Sequence, residues 1–449
     1  MPGARTLVAA AVALLGFSVA GCDSGGGFTD LHRTGAGFYG VNFDEQGARE
    51  FAGADVGRLL SRLAPTTLRW PGGEDANYFD WRTEPGTAPD AATRALQDLA
   101  AAYRTTGATP IFVLNVLAAA NRVDTRDQLA MLTAAHRLGL PIKYVELGNE
   151  LYAGGEFAQA FPSGAAYGRT VARYVRALHA AFPGVEVAAD ACLQPANARQ
   201  QSWNAGLLST ATGSGAPDAL TLHDYPGLVI HPFTRADLSA LFANAYQAVD
   251  QLDAVIRSLD GRPVWLTEYN FHGPYQQNSP NPVQTSYARE LYLAAFALLL
   301  PRIPHLALAD VWTALDGPAF GAWVNPPNPQ LSPAGQAVQL VDAAAMGAQS
   351  SAPVRFSDVP TLPGGYPAVV GQRFTGAVRR TSALLVNLSG TRQQVAVGSD
   401  VPAGAQYRQV SGEPIAQQKF ARALPTGTVT RPALSLPPYS ITLINGTTG

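Results

Sequence analysis

The sequence predicts an α/β fold, a (β/α)8 TIM barrel with a C-terminal β-sandwich domain. Three observations support this prediction. The 449 residues are 47% hydrophobic, which is enough apolar material for a large core. Strand-like and helix-like segments alternate from about residue 38 to 346, a stretch long enough for one barrel. After about residue 350, short alternating runs lie between Gly, Pro and Ser turns and show no helical period, as in a β-sandwich.

Eight strand candidates form the predicted barrel. Most are apolar at several consecutive positions, which is typical of parallel strands covered on both faces. The eight segments are 38–43, 66–70, 109–116, 143–148, 185–190, 219–225, 263–269 and 306–315.

Helical segments lie between these strands. One begins after the N-cap candidate Asp90 and ends at Gly107, and the next runs from Asp124 to Gly139. The others cover about 167–181, 235–259, 284–300 and 332–346. A doubly wound open sheet is the alternative, but no glycine-rich phosphate-binding motif follows the first strand, so a nucleotide-binding version has no support.

The chain divides into four predicted parts. Residues 1–22 form a signal peptide, in which Arg5 precedes an apolar run and residues 19–22 resemble a bacterial lipobox ending at Cys22. Residues 23–37 form a tether with a possible sandwich strand, 38–348 the catalytic barrel and 349–449 the sandwich. We therefore expect export to the bacterial cell envelope, with a lipid on Cys22 as the membrane attachment, on the periplasmic or the cell-surface side. Cys192 is expected to be a buried thiol.

Composition excludes several classes of function. With 31 Lys and Arg against 33 Asp and Glu, no nucleic-acid partner is expected, because phosphate contacts need clustered cations. The His and Cys residues are scattered without metal-ligand spacing, so no metal is expected. No other cofactor is expected either, because the reaction predicted below needs only two carboxylates and water. A serine hydrolase also lacks support, because no Gly-x-Ser-x-Gly elbow is present.

Acidic residues follow two strands at their carboxyl ends. Glu146 and Glu150 lie at the end of the fourth predicted strand, and Glu268 lies at the end of the seventh. Residues at these strand ends share one rim of a barrel. Two facing carboxylates suit glycosidic bond cleavage, in which one donates a proton and the other attacks or stabilises the anomeric carbon. Glu146 lies about a layer deeper than Glu150, so we interpret it as a supporting residue.

These motifs carry a resemblance. Residues 148–150 (GNE) and 267–268 (TE) resemble clan A of the glycoside hydrolases, whose catalytic carboxylates lie on strands four and seven. Residues 69–73 (RWPGG) resemble family 51 arabinofuranosidases. The segment 146–150 (ELGNE) is similar to family 79 glucuronidases and heparanases, and 267–270 (TEYN) to the TEWN of family 39 xylosidases. The resemblance is specific for the clan rather than for one family.

The resemblance implies roles for individual residues. Glu150 would be the acid/base and Glu268 the nucleophile of a retaining enzyme with a covalent glycosyl-enzyme intermediate. Asn149 would hydrogen-bond the sugar 2-hydroxyl. Arg69 would keep Glu268 ionised, and Tyr225 would donate a hydrogen bond to Glu268.

Other residues are candidates with a structural alternative. His223 would lie beside the nucleophile or be a core histidine, and Trp312 would be a sugar platform or barrel packing. Arg69 could instead neutralise Glu146. Three more candidates for substrate binding lie near the same rim: Asn42, Asn115 and Glu74.

The sequence therefore predicts an exported, lipid-anchored retaining glycoside hydrolase acting on plant or host glycosides. The carbohydrate substrate is the partner expected besides the membrane. An exo-acting enzyme would remove one sugar such as arabinofuranose, xylose or a uronic acid. An endo-acting enzyme and a non-catalytic surface glycan-binding lipoprotein are the alternatives. Loops near Asn121 and at 152–162 and 272–282 are expected to decide between a pocket and a groove.

Overall fold

A computed structural model describes residues 29–30, 37–43, 55–81, 91–117, 125–228, 230, 232–272, 282–317, 320–325, 327–356, 358–376, 380–396, 404–429 and 433–447. The predicted signal peptide, Cys22 and most of the tether lie outside these residues. So do Asn121 and most of the loop 272–282. In the helices that the structure describes, no segment is both long and apolar enough to span a membrane.

Eight parallel strands close into a barrel, as the sequence predicted. Each is buried along nearly its whole length, which explains the runs of consecutive apolar residues. In chain order they are β2 (Tyr39–Asn42), β3 (Thr67–Trp70), β4 (Thr109–Leu114), β5 (Tyr144–Leu147), β6 (Glu186–Asp190), β7 (Ala219–Asp224), β8 (Val264–Tyr269) and β9 (Leu306–Val311). The fourth and seventh barrel strands are therefore β5 and β8.

Helices surround this barrel, and the six that the sequence predicted are all present. The described helices are α1 (Val56–Leu63), α2 (Ala91–Thr106), α3 (Thr125–Arg137), α4 (Glu156–Ala160), α5 (Gly164–Ala181), α6 (Ala198–Gln201), α7 (Trp203–Thr210), α8 (Leu238–Arg257), α9 (Tyr287–Leu299) and α10 (Pro333–Ala345). The sequence did not locate α1, α4, α6 and α7. Each is eight residues or shorter, so it offers little more than two turns of periodicity.

The barrel interior has an apolar floor and a polar upper layer. The floor is a cluster of buried side chains: Ile111, Tyr144, Ala188, Ala219, Trp265, Ala307 and Leu308. Toward the carboxyl ends of the strands, the fully buried side chains include Arg69, Glu146, Thr267 and Asp310. Buried charges are costly unless they are paired, so this layer requires a specific arrangement of partners.

The C-terminal region forms antiparallel sheets. One sheet has seven strands in the order β1-β12-β13-β14-β19-β16-β17, and β15 pairs with β18 in a second sheet. The strands are β1 (Thr29–Asp30), β12 (Ala348–Pro353), β13 (Val369–Gly376), β14 (Arg380–Asn387), β15 (Gln393–Ala396), β16 (Gln406–Ser411), β17 (Thr426–Thr428), β18 (Ala433–Leu436) and β19 (Ser440–Thr447). A separate apolar core packs the two sheets together. A short hairpin, β10 (Trp323–Val324) with β11 (Gln330–Leu331), precedes α10.

The sandwich packs against the barrel through aromatic side chains. The rings of Tyr246 on α8 and Tyr366 are stacked 4.8 Å apart, and the Tyr246 hydroxyl donates to the Pro367 carbonyl at 2.8 Å. The Tyr39 ring of β2 contacts Phe374 of β13 edge to face.

Candidate active site

Arg69 connects the carboxylates inside the barrel. Its Nε and Nη2 donate to Glu146 at 2.6 and 3.1 Å, and its Nη1 donates to Glu268 Oε1 at 2.6 Å. The remaining contacts are Nη1 to Asn42 Oδ1 at 2.9 Å and Nη2 to Asn149 Oδ1 at 2.8 Å. All five guanidinium N–H groups therefore have an acceptor. Burial alone lowers the pKa of Arg69, but Glu146 and Glu268 outweigh it and raise that pKa above its ordinary value.

The position of Glu268 depends on an irregularity in β8. Between β7 and β8 the pairing passes from Leu222 with Leu266 to His223 with Glu268, so Thr267 is an extra residue on β8. A bulge of this kind changes the direction of side chains at a barrel rim. As a result, Thr267 and its neighbour Glu268 both take part in the polar network of the site, although strict alternation would put them on opposite faces.

Glu268 is held from two sides. Arg69 binds its Oε1, and the Tyr225 hydroxyl donates a hydrogen bond to its Oε2. Burial and the charge of Glu268 raise the pKa of Tyr225, so the phenol stays protonated as the donor. The Glu268 side chain is only 6% exposed. The sequence proposed both contacts, and the structure contains both.

Glu150 has a different environment. It lies just beyond the end of β5, where Gly148 has φ +87° and Glu150 itself has φ +47° in the left-handed region. Its side chain is 38% exposed. His223 Nδ1 lies 2.9 Å from Glu150 Oε1, and the Tyr152 hydroxyl donates to the same oxygen at 3.3 Å.

His223 links the two carboxylates. Its Nδ1 lies 3.6 Å from Glu268 Oε2 as well as 2.9 Å from Glu150 Oε1, while its Nε2 lies 3.2 Å from Thr267 Oγ1. Burial lowers the pKa of His223, but Glu268 and Glu150 outweigh it and raise that pKa to about 9. For Glu150, burial raises the pKa, but the hydrogen bond and charge of His223 lower it below its ordinary value overall. The proton of this pair therefore favours His223 over Glu150.

Asn149 is fixed by a residue that the sequence analysis did not identify. Asn77 Oδ1 accepts from the Asn149 N–H at 2.9 Å, and Asn77 Nδ2 donates to the Asn149 carbonyl at 2.6 Å. Arg69 occupies the Asn149 Oδ1. This arrangement leaves the Nδ2 group of Asn149 to donate to a ligand. Asn77 lies in the 3-10 turn 74–77, and its only sequence signal is its place after the Gly72-Gly73 turn.

Trp312 packs on that glycine turn. A Cβ on Gly73 would lie 2.5 Å from the Trp312 ring, and Gly73 has φ +69°, so both space and conformation require glycine there. Trp312 is half-buried. Its indole therefore combines packing on the rim with an exposed part, which agrees with both of the alternatives weighed for it.

An aromatic wall lies beside Glu268. The Tyr225 ring meets His272 and Phe320 edge to face, each with centroids 6.1 Å apart, and the His272 and Phe320 rings are stacked at 5.5 Å. Asn270 Nδ2 donates to the Phe320 carbonyl at 3.2 Å. Phe320 was not among the residues predicted from the sequence, because it lies beyond the end of β9 in a segment without secondary-structure signals.

The three remaining candidates have mainly supporting contacts. Asn42 is fully buried, and besides binding Arg69 it donates to the Thr267 carbonyl at 2.8 Å. Asn115 is buried and accepts from the Leu117 N–H at 3.0 Å, which shapes the turn after β4. Glu74 is exposed at the rim.

Cys192 is a buried free thiol, as the sequence predicted, and burial raises its pKa to about 12.

Glu150, His223 and Glu268 also meet the geometric requirement for a metal site. One ligand atom from each lies within 4.8 Å of the other two. Sequence spacing could not show this grouping, because the three residues come from three different strands. The same Glu268 carboxylate, however, already accepts hydrogen bonds from Arg69 and Tyr225, and the neighbouring guanidinium repels a second cation. We therefore interpret the group as an acid–base site.

Comparisons with known proteins support the fold. No family model and no curated protein matches the sequence. An α-L-arabinofuranosidase from Thermotoga maritima in complex with arabinose has a TM-score of 0.69 and 16% identity, over 94% of this chain and 98% of that one. A family 51 α-L-arabinofuranosidase from Bifidobacterium longum has a TM-score of 0.71 and 13% identity, over 96% and 98%.

A 4-O-α-L-rhamnosyl-β-D-glucuronidase from Fusarium oxysporum is also similar, with a TM-score of 0.61 and 12% identity over 93% of this chain and 97% of that one. These structures are glycoside hydrolases of clan A, the group that the sequence motifs resemble. At such identities the likeness shows the fold, a barrel with an attached sandwich, and this part of the prediction is confirmed.

Proposed function

We propose that this protein is a retaining glycoside hydrolase in which Glu268 is the nucleophile and Glu150 the acid/base. The observation that carries the proposal is the spacing of the two carboxylates. Their facing oxygens lie within 4.8 Å of each other, with His223 between them. Retaining enzymes hold their carboxyl groups about 5–5.5 Å apart, whereas inverting enzymes need about 6.5–9.5 Å to admit a water molecule.

The reaction would proceed in two steps at the anomeric carbon. Glu150 acts here in its protonated form: it donates its proton to the leaving glycosidic oxygen while Glu268 attacks the anomeric carbon, which gives a glycosyl ester on Glu268. Glu150 then removes a proton from water, the water attacks the same carbon, and Glu268 leaves as a carboxylate. Two inversions give net retention. Asn149 Nδ2 would donate to the sugar 2-hydroxyl, and the exposed part of Trp312 would contact a sugar face.

Among the described residues around the two carboxylates, the charges favour a neutral sugar. A uronic acid requires a cation for its carboxylate, and all five donors of Arg69 are already bound within the protein. His223 likewise contacts Glu150 and Thr267. Because two of the similar structures are α-L-arabinofuranosidases, an α-L-arabinofuranoside is the first substrate to test. Export and a lipid on Cys22 remain part of the proposal on the sequence motif alone.

The test is a panel of aryl glycosides that includes arabinofuranosides, xylosides and glucuronides, with product stereochemistry read by proton NMR. We expect hydrolysis of a neutral glycoside with retention. Glu268→Gln should lower kcat on the order of 10⁴-fold or more. Glu186→Gln, at the opposite end of the barrel, is the matched control and should retain activity. An inverted product, or activity that survives Glu268→Gln, would contradict the proposal.

A further inference from the structure

The backbone at Glu150 adopts an unfavourable conformation. A non-glycine residue in the left-handed region costs roughly 1–2 kcal/mol, and such residues persist where the surrounding structure fixes them. The Glu150 side chain is 38% exposed, and its hydrogen-bond partners among the described residues are His223 and Tyr152. Its direction therefore depends on how firmly the neighbouring peptides are held.

One side chain, Arg199, holds the peptides that follow Glu150. Its Nη2 donates to the Leu151 carbonyl at 2.8 Å and its Nη1 to the Ala153 carbonyl at 2.7 Å, and Nη1 also donates to the Tyr152 carbonyl. Its Nε and Nη2 reach the Phe161 carbonyl at 3.1 and 2.7 Å, which closes the loop. Three successive carbonyls directly after Glu150 thus point at one guanidinium.

Arg199 is itself fixed from behind. It lies on the short helix α6, and its guanidinium carbon is 4.8 Å from the centre of the Trp203 ring, a cation–π contact. Within the part of the chain that the structure describes, each hydrogen bond of its guanidinium goes to a backbone carbonyl. On the other side of the loop, Asp190 Oδ2 accepts from the Leu151 N–H at 2.5 Å, so the Leu151 residue is held at both its N–H and its carbonyl.

We propose that Arg199 is a positioning residue that sets the direction of Glu150 toward the glycosidic oxygen. This inference rests on the proposed function. Arg199 acts through the backbone and does not touch the reacting atoms. Its loss should therefore weaken the proton transfer by Glu150 and leave nucleophilic attack by Glu268, on the far side of the site, largely intact.

The dependence on the leaving group separates this role from general damage to the fold. The dinitrophenolate of a dinitrophenyl glycoside leaves without protonation. The methoxide of a methyl glycoside needs a proton from a general acid, and such catalysis contributes roughly 10²–10⁴-fold to the rate. For Arg199→Gln we expect kcat/KM to fall on the order of 10²-fold for the methyl glycoside and by less than about threefold for the dinitrophenyl glycoside. Glu150 also activates water in the second step, so kcat on the dinitrophenyl substrate should fall when this step becomes slow. Azide attacks without a general base and should restore that kcat.

Two further variants complete the experiment. Arg199→Lys keeps the charge but has fewer directed donors, so its kcat/KM on the methyl glycoside should fall less than that of Arg199→Gln. This variant replaces Arg199→Gln in the experiment if Arg199→Gln does not fold. Arg169→Gln makes the same change at an exposed position of α5 and is the control. An equal fall on both substrates, or no fall on either, overturns the inference. A wild-type protein that hydrolyses neither substrate overturns the proposed function and this inference with it.

Discussion

The two carboxylates of the site are held in opposite ways. Glu268 lies on a bulged strand, is 6% exposed, and receives hydrogen bonds from a buried cation and a phenol. Glu150 lies on a loop beyond its strand and is 38% exposed. This difference fits the chemistry proposed for each. A nucleophile must stay ionised and fixed at one carbon, whereas an acid/base must exchange its proton with a leaving group and then with water.

The largest expected effect tests the buried Arg69 network that holds Glu268. Arg69→Gln leaves Glu146 and Glu268 buried without their cation, and breaking a buried pair in this way costs about 3–5 kcal/mol. We expect the free energy of unfolding, measured with urea, to fall by about this amount. Adding Glu146→Gln to Arg69→Gln should recover part of the loss, because one uncompensated charge is removed. A loss below about 1 kcal/mol, the range of a surface pair, would contradict the buried network.

Much of the environment of Glu268 could be predicted from the sequence. The barrel strands could be recognised as apolar runs. Because the carboxyl ends of barrel strands share one rim, Arg69, Glu150 and Glu268 were predicted to lie there together. The partners of Arg69 were less accessible. Glu146 and Glu268 were weighed as alternatives, yet the structure pairs Arg69 with both, because one guanidinium has donors for several acceptors.

Two other features of the site were harder to predict from the sequence. Arg199 lies about 50 residues from the loop that it binds, on a four-residue helix without a periodic pattern. The bulge that directs Thr267 and Glu268 into one network depends on how β8 pairs with β7 and β9. Such features arise from the closed barrel as a whole, so local patterns carry no signal for them.

A smaller effect tests the environment of Glu150. His223→Gln removes the positive charge that lowers the pKa of Glu150, so this pKa should rise. Since kcat/KM reports the ionisations of the free enzyme, its alkaline limb should move to higher pH. Tyr152→Phe removes an uncharged donor to the same oxygen and should give a smaller shift in the same direction. An alkaline limb that stays in place in His223→Gln would show that His223 does not control the ionisation of Glu150.

The last prediction concerns Asp310, a carboxyl group of β9 in the same barrel interior. Its Oδ1 accepts from the Thr67 hydroxyl at 2.7 Å, and its Oδ2 has no hydrogen-bond partner among the described residues. Burial raises the pKa of Asp310 to about 8, despite the opposing effects of Thr67 and Arg69. The folded protein therefore keeps a proton that the unfolded chain releases near pH 4.

This difference fixes the sign of a pH dependence. Between about pH 4 and 8 the folded state binds one proton more at Asp310, so its contribution to stability falls by about 1.4 kcal/mol per pH unit as pH rises. Asp310→Asn mimics the protonated group and removes this dependence. Urea unfolding at pH 5 and pH 8 should give a smaller loss of stability for the variant than for the wild type. Equal losses would mean that Asp310 is already ionised in the folded protein, and that an unpaired carboxylate is tolerated beside the Arg69 network.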